Sequence, residues 1–305
     1  SVEDNRAPRP AISTNKVSPA TLPLLSLLCI YVVWVSTYLA IRYALDSFPP
    51  FLLIGIRFVT AGVVLFAIAR PRGAPVPTRI EWRNAGLIGA LLLAGGTAGT
   101  ALAEQTIPSS TSAIIVASAP VWNALALGLF REWPSRGEWL GIAVGLVGVV
   151  LLTADGALQG SVIGVAFQLA GLTLWALGSA FGRRLHVPKG AMGHAAEMLV
   201  GGAVCFIIAA FKGEALDRPI LPESMLALVY LTVIGSMLAF SAYMIVIRNL
   251  RPALASSYAY VNPVVAIALG VAMRGEVITP NQLIAVGVIF VALVVMTLAR
   301  PPNYA

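Results

Sequence analysis

Residues 112–141 read SAIIVASAPVWNALALGLFREWPSRGEWLG, and residues 255–285 read ASSYAYVNPVVAIALGVAMRGEVITPNQLIA. The two stretches carry one pattern twice. Pro120 aligns with Pro263, and after a slip of one residue Glu132 aligns with Glu276, Ser135 with Thr279, Glu138 with Gln282 and Gly141 with Ala285. Further out, Trp34 and Arg42 correspond to Trp175 and Arg183. The chain thus divides into two halves of about 140 residues within a total of 305.

Each quoted stretch begins inside an apolar run, and such runs fill most of the chain. Apolar residues make up 58% of the sequence and charged residues only 11%, with a mean hydropathy of +0.87. An ordinary soluble domain carries about a quarter charged residues, and its surface helices need a polar face. Long stretches here offer none, so lipid must serve as a solvent. A span needs about 20 apolar residues to cross a hydrocarbon core of roughly 30 Å. Candidates run over 22–45, 50–69, 84–103, 111–130, 139–153, 161–182, 194–211, 225–247, 253–273 and 282–299, the fifth being short.

The expected fold is an all-α membrane protein with ten transmembrane helices in two inverted five-helix repeats. Five spans is an odd number, so the second half must enter the membrane from the opposite side. The expected organisation is a polar, disordered cytoplasmic tail at 1–20, a first repeat at 21–154, a second at 155–300, and a short cytoplasmic tail at 301–305. The amino-terminal segment lacks the apolar core of a secretion signal, and a chain starting at Ser1 rather than methionine reads as processed.

The formal charge is +7 and the isoelectric point about 9.8, yet this charge carries orientation rather than nucleic-acid binding. With the amino terminus cytoplasmic, fifteen of the 20 basic residues fall on the cytoplasmic side and three, Lys212, Arg218 and Arg274, on the other. Arg42 and Arg57 lie within spans, and Arg42 reads as snorkelling outward. The excess places both termini in the cytoplasm. No basic stripe interleaved with aromatic residues is present, which excludes a nucleic-acid partner.

At this point the two copies resemble the paired EamA domains of the drug/metabolite transporter superfamily. That pattern is a helix with a central Pro-Val, a loop containing Glu, and a glycine-rich helix. Pro120-Val121 with Glu132, and Pro263-Val264 with Glu276, carry it here. The resemblance spans nearly everything after residue 20. It implies a secondary exporter in a cell inner (plasma) membrane, similar to bacterial exporters of amino acids, aromatic ones and threonine included, and of other metabolites. The runner-up is a proton-coupled multidrug exporter, although the small drug pumps of the superfamily use a Glu in their first helix and this first helix has no acid.

Candidate site residues follow from polar and aromatic groups set inside spans. Pro120 and Pro263 each remove a helical hydrogen bond and open their helices, and breaks at corresponding places point to a transporter site. Tyr258 and Asn262 share a face beside Pro263. Trp34, Thr37 and Tyr38 form one face of the first helix, and Trp175, Gly178 and Ser179 form its counterpart on the sixth. Such aromatic faces either stack on a solute or pack helices together. Thr100, Gln168 and Asn123 are further intramembrane polar groups that helix-to-helix hydrogen bonding would also explain.

Two charges lie in the spans proper: Arg57, about seven residues into the second helix, and Glu197, the one clearly buried acid, near the cytoplasmic end of the seventh. Lone charges in lipid are costly and should face protein or water. Gly141, Gly145 and Gly148 supply small faces for helix contact. The expected site joins Trp34, Thr37, Tyr38, Thr100, Trp175, Ser179, Tyr258 and Asn262 at the membrane midplane, stacking holding an apolar side chain and polar groups beside the proline breaks holding a zwitterion.

Other function classes fit poorly. No phosphate loop occurs, and no HExxH or GxSxG marks a membrane-embedded enzyme, the distant alternative. Cys29 and Cys205 have no partner at ligand spacing, so neither a metal nor a cofactor is expected. The basic groups that a phosphate-bearing solute would favour are missing from the third, fourth, eighth and ninth helices. A small neutral or zwitterionic solute is the expected partner, with membrane lipid around the helices. The oligomeric state stays open, a monomer included. A cysteine introduced at position 79 should resist an impermeant thiol reagent in intact cells; ready labelling there would reverse the orientation.

Overall fold

A computed structural model describes residues 21–107, 109–153, 161–262, 264–265 and 280–299. The described elements are all helical. They are α1 (Thr21–Ala44), α2 (Pro50–Ala69), α3 (Arg79–Ala103), α4 (Ser109–Val116), α5 (Ala119–Gly128), α6 (Arg136–Thr153), α7 (Val162–Arg184), α8 (Ala191–Lys212), α9 (Pro222–Asn249), α10 (Pro252–Ala255) and α11 (Pro280–Leu298). Six of these, α1, α2, α3, α7, α8 and α9, are long and apolar enough to cross a membrane.

The other four expected spans fall on different kinds of element. The fourth is split into α4 and α5 by a turn at 117–118, and the fifth is the 18-residue α6. The ninth opens as the single turn α10, bends at 256–257 and resumes over 258–262; Pro263 and residues 266–279 lie outside the described residues. The tenth is α11. The two expected tails, 1–20 and 301–305, also lie outside the described residues.

Local chemistry sets these boundaries. Pro120 sits in the first turn of α5, where a missing N–H costs least, and it has no N–H to return to the carbonyl of Val116. The recurring Ser135 and Glu138 form a capping box: Glu138 N–H donates to Ser135 Oγ at 3.3 Å, and Ser135 N–H donates to Glu138 Oε2 at 2.9 Å. Thr78 and Glu81 start α3 in the same way. Glu132, the other acid of the pattern, forms an ion pair with Arg184 at the end of α7. Three members of the repeated pattern therefore have structural work at helix ends.

Two helices are locally wide. Ala90–Thr97 in α3 and Leu231–Phe240 in α9 are π-helical. Each carries a Gly followed by a hydroxyl residue that reaches back five positions: Thr97 Oγ1 donates to the Leu92 carbonyl at 3.3 Å, and Ser236 Oγ to that of Leu231 at 3.0 Å. Widened turns are frequent at functional sites.

Small residues let helices approach closely. A Cβ added at Gly62 of α2 would stand 2.8 Å from Leu199 of α8, and one at Gly148 of α6 would stand 2.6 Å from Ile289 of α11. Gly99 of α3 meets Gly171 of α7 so tightly that a Cβ at position 99 would lie 2.7 Å from the facing Cα. Without a hydrophobic force between helices in lipid, contacts of this closeness supply much of the association.

Two expectations about charge need correction. Arg42 does more than snorkel, because its Nη1 donates to the Glu104 carbonyl at 2.8 Å and caps the end of α3. Arg183 caps α9 in the same way, with Nη1 donating to the Leu250 carbonyl at 2.9 Å. Glu197 is not the one buried acid, since Glu104 and Glu138 are also buried at 0% and 2% exposure. Both stand at helix ends, which hydropathy assigns to gaps, while neighbouring helices cover them. Glu197 itself pairs at 2.6 Å with Arg248 of α9.

Removing Arg248 would leave the Glu197 carboxylate buried alone. Arg248→Met should lower stability against chemical unfolding in detergent by about 3–5 kcal/mol. Adding Glu197→Leu should restore most of it; equal losses in the single and double variants would refute the pairing.

Candidate functional site

A cavity with about 650 Å³ of unfilled space, part of it open to solvent, lies between α1, α2, α3, α7, α9 and the 258–262 segment. The wide stretches shape its wall: Gly96 and Thr97 of α3, with Gly235 and Phe240 of α9, all line it. At Gly96 the missing side chain makes room for Trp175, whose ring would lie 2.7 Å from an added Cβ.

Aromatic rings meet at one end. Trp34 lies 5.5 Å from Trp175 and 4.6 Å from Tyr258, centroid to centroid, both edge to face. Tyr243 of α9 joins them at 4.9 Å from Trp34 and 5.0 Å from Trp175. Its hydroxyl accepts from the Trp175 indole N–H at 2.9 Å and bonds Ser179 Oγ at 2.5 Å. Edge-to-face pairs each add about 0.5–1.5 kcal/mol beyond burial, so this cluster holds its rings in set positions.

Polar groups occupy other parts of the wall. Ser112 Oγ donates to Gln168 Oε1 at 2.5 Å, Gln168 Nε2 donates to Thr100 Oγ1 at 3.1 Å, and Thr100 Oγ1 donates to the Gly96 carbonyl at 3.4 Å. Thr37 Oγ1 donates to the Trp34 carbonyl at 2.7 Å. Arg57 is the one charged side chain among the described lining residues. It is 4% exposed, its Nε donates to Ser236 Oγ at 2.6 Å, and its Cζ lies 4.6 Å from the Phe58 ring centroid.

The sequence-derived candidates sort accordingly. Trp34, Thr37, Tyr38, Thr100, Trp175, Tyr258 and Arg57 line the cavity. Ser179 stands behind it, bonded to Tyr243 and to the Trp175 carbonyl. Asn262 is buried at 1% exposure, approaches the Tyr38 hydroxyl without meeting hydrogen-bond geometry, and has no partner on either amide atom. Pro120 lies outside the lining set, although Val116, the residue whose carbonyl it leaves unserved, is within it. Glu197 is held in its ion pair elsewhere, and Pro263 is outside the described residues.

Sequence reasoning missed Tyr243 and Ser236. Both lie in α9, and the signal that marks them is a hydroxyl side chain inside an apolar span. No group of three or more potential metal ligands occurs among the described residues.

The sequence profile of the EamA-like transporter family matches residues 21–154 and again 162–298. The chain belongs to the EamA-like transporter family. An Escherichia coli K12 protein described as "Uncharacterized inner membrane transporter YedA" is 42% identical over 281 residues, covering 92% of each chain. A Salmonella typhimurium protein described as "Probable amino-acid metabolite efflux pump" is 26% identical over 84% of this chain and 88% of its own. One solved structure superposes with a TM-score of 0.74 at 23% identity, over 90% of this chain and 96% of its own, which speaks to the fold. In this EamA-like chain, then, the cavity belongs to a membrane transporter.

Within the site the Tyr243 hydroxyl has a defined structural duty. Tyr243→Phe would leave the Trp175 indole N–H unpaired and should cost about 1–3 kcal/mol. Thermal unfolding of the purified variant measures this, and a wild-type midpoint would remove Tyr243 as the support of Trp175.

Proposed function

We propose that this EamA-like transporter is a secondary exporter of small neutral or zwitterionic metabolites, amino acids with aromatic or apolar side chains foremost, in a bacterial-type inner membrane. The observation that carries the reading is the cavity whose lining combines the rings of Trp34, Trp175 and Tyr258 with hydroxyl, amide and guanidinium groups. Flat aromatic faces suit an apolar side chain, and the polar wall suits a solute's charged end. The printed descriptions of the Escherichia coli and Salmonella relatives support the inner membrane and amino-acid parts respectively.

Alternating access would arise from two inverted five-helix halves, 21–154 and 155–300, making ten spans. Several pairings support this. The second helix of each half packs on the other, α2 on α8, as does the fifth, α6 on α11. The first helix of each half contacts the third helix of the other: α1 meets α9 through Trp34 and Tyr243, and α7 meets α3 through Gly171 and Gly99. Each third helix carries a wide stretch, and each is capped by the arginine ending its own half's first helix. Two halves that exchange these roles give inward- and outward-facing states of similar energy.

A second reading, proton-coupled export of drugs, is favoured by Glu104, a fully buried carboxyl with no hydrogen-bond partner on either oxygen. One experiment addresses both. In proteoliposomes, counterflow of labelled phenylalanine should saturate, and Trp34→Ala should raise the half-saturation concentration about fivefold. Val294→Leu, on the exposed side of α11, should be nearly silent. Transport of cationic dyes alone, accelerated by a pH gradient, would select the second reading; wild-type affinity in Trp34→Ala would remove the aromatic wall from the site.

A further inference from the structure

The two charges inside the bundle are treated differently. Glu197 has Arg248 at 2.6 Å, whereas no ion pair among the described residues involves Arg57. A guanidinium keeps its proton throughout the physiological range and carries five N–H donors. Arg57 uses Nε on a neutral hydroxyl, Ser236 Oγ. The face of Phe58 offsets some of its charge. Among the described residues the terminal nitrogens of the fork have no hydrogen-bond partner, and the side chain lines the cavity. Gly235 lets it lie there, because a Cβ at that position would stand 2.8 Å from Nη2.

The rest of the wall gives no answering charge. The described lining residues include no carboxylate, and the remaining polar groups are neutral hydroxyls, one amide and two indoles. Gln168 and Thr100 already bond to each other. A cation held below the membrane surface without an anion is unfavourable, and since no described residue answers Arg57 with a carboxylate, a ligand is the natural source of one. A zwitterion brings that anion together with an ammonium that meets no carboxylate. A monocarboxylate brings the anion alone.

We propose that the cavity selects a monocarboxylate with an aromatic or apolar body, its carboxylate held by the Arg57 fork and its body against Trp34 and Trp175, and that an α-amino group is dispensable. This rests on the reading of the cavity as the solute site and extends its substrate class from zwitterions to anions. The geometry suits the ligand, since a planar guanidinium matches a carboxylate with two parallel N–H donors, which an ammonium cannot offer. Arg57 also forms the side of the cavity where α2 meets the wide stretch of α9. Neutralising its charge would therefore act on the same segment that alternating access has to move.

The test uses three solutes with one body: 3-phenylpropionate, phenylalanine and phenethylamine. Binding to the purified full-length protein is measured by calorimetry, because weak acids cross lipid unaided and would confuse flux. 3-Phenylpropionate is expected to bind at least as tightly as phenylalanine, and phenethylamine to bind at least about tenfold more weakly. Arg57→Gln should weaken the acid about tenfold or more and leave phenethylamine unchanged, while Arg57→Lys should lose less. If Arg57→Gln does not fold, the wild-type ranking decides by itself.

Phenethylamine binding as tightly as the acid, or phenylalanine binding tenfold tighter than the acid, would overturn the carboxylate assignment while leaving the cavity as a solute site. So would unchanged acid binding in well-folded Arg57→Gln. Displacement of the acid by chloride at equal concentration would make the site a general anion site, which also overturns it. Binding of none of the three would sink the solute site itself, and the proposed function with it.

Discussion

Trp34 sits where α1, α7, α9 and the 258–262 segment meet, with its ring in edge or tilted contact with Trp175, Tyr243 and Tyr258. The position of the cavity depends on this contact. Large rings at the centre of a bundle hold helices apart, and no helix can close over the space without displacing a neighbour that is itself hydrogen-bonded. The Tyr243 hydroxyl ties two of the rings to α7 through Trp175 and Ser179. Glycines at 96, 99 and 171 then bring α3 and α7 together tightly beside the rings. Close contact on one side and spacing on the other leave a cavity between them.

Polar groups in this bundle divide into those consumed by the fold and those left over. The repeated Ser135 and Glu138 cap α6, Glu132 pairs with Arg184, Arg42 and Arg183 cap α3 and α9, and Glu197 pairs with Arg248. Burial without such partners is expensive, so satisfied groups define structure. Among the described residues the remainder is small: Arg57 with its unpaired fork, Glu104, Asn262 and the Ser241 hydroxyl. The first lies on the cavity wall, and Asn262 approaches Tyr38, which is also on it. A transporter needs such leftover polarity, because the solute must complete what the protein leaves incomplete.

Much of this was legible without coordinates. Apolar runs of the right length foretold the six long helices, since a helix in lipid must satisfy its own backbone bonds and cover them with apolar side chains. Trp34, Thr37 and Tyr38 were grouped by helical spacing on α1, Trp175 was matched to Trp34 through the repeat, and these four line one cavity. Other features were hidden for physical reasons. A π-helical stretch changes backbone hydrogen bonding by one residue and leaves the hydropathy of the segment untouched. Burial of Glu104 and Glu138 depends on which helices cover a helix end, which spacing along one chain does not encode.

By itself, then, the sequence determined that this is a helical membrane protein, that its pattern occurs twice, and which aromatic and polar side chains lie inside spans. Those properties follow from the transfer of side chains into lipid and from the period of the helix, both local quantities. Tertiary structure decided which of those side chains face the same space. Ser179 and Asn262 share helical faces with cavity residues yet stand behind the wall, whereas Ser236 and Tyr243 reach the site through partners on α2 and α7. It also decided that Glu197 has a counter-charge and that Arg57 has none among the described residues. Pairing of charges is a matter of distance between helices far apart in the chain, and only the packed bundle sets that distance.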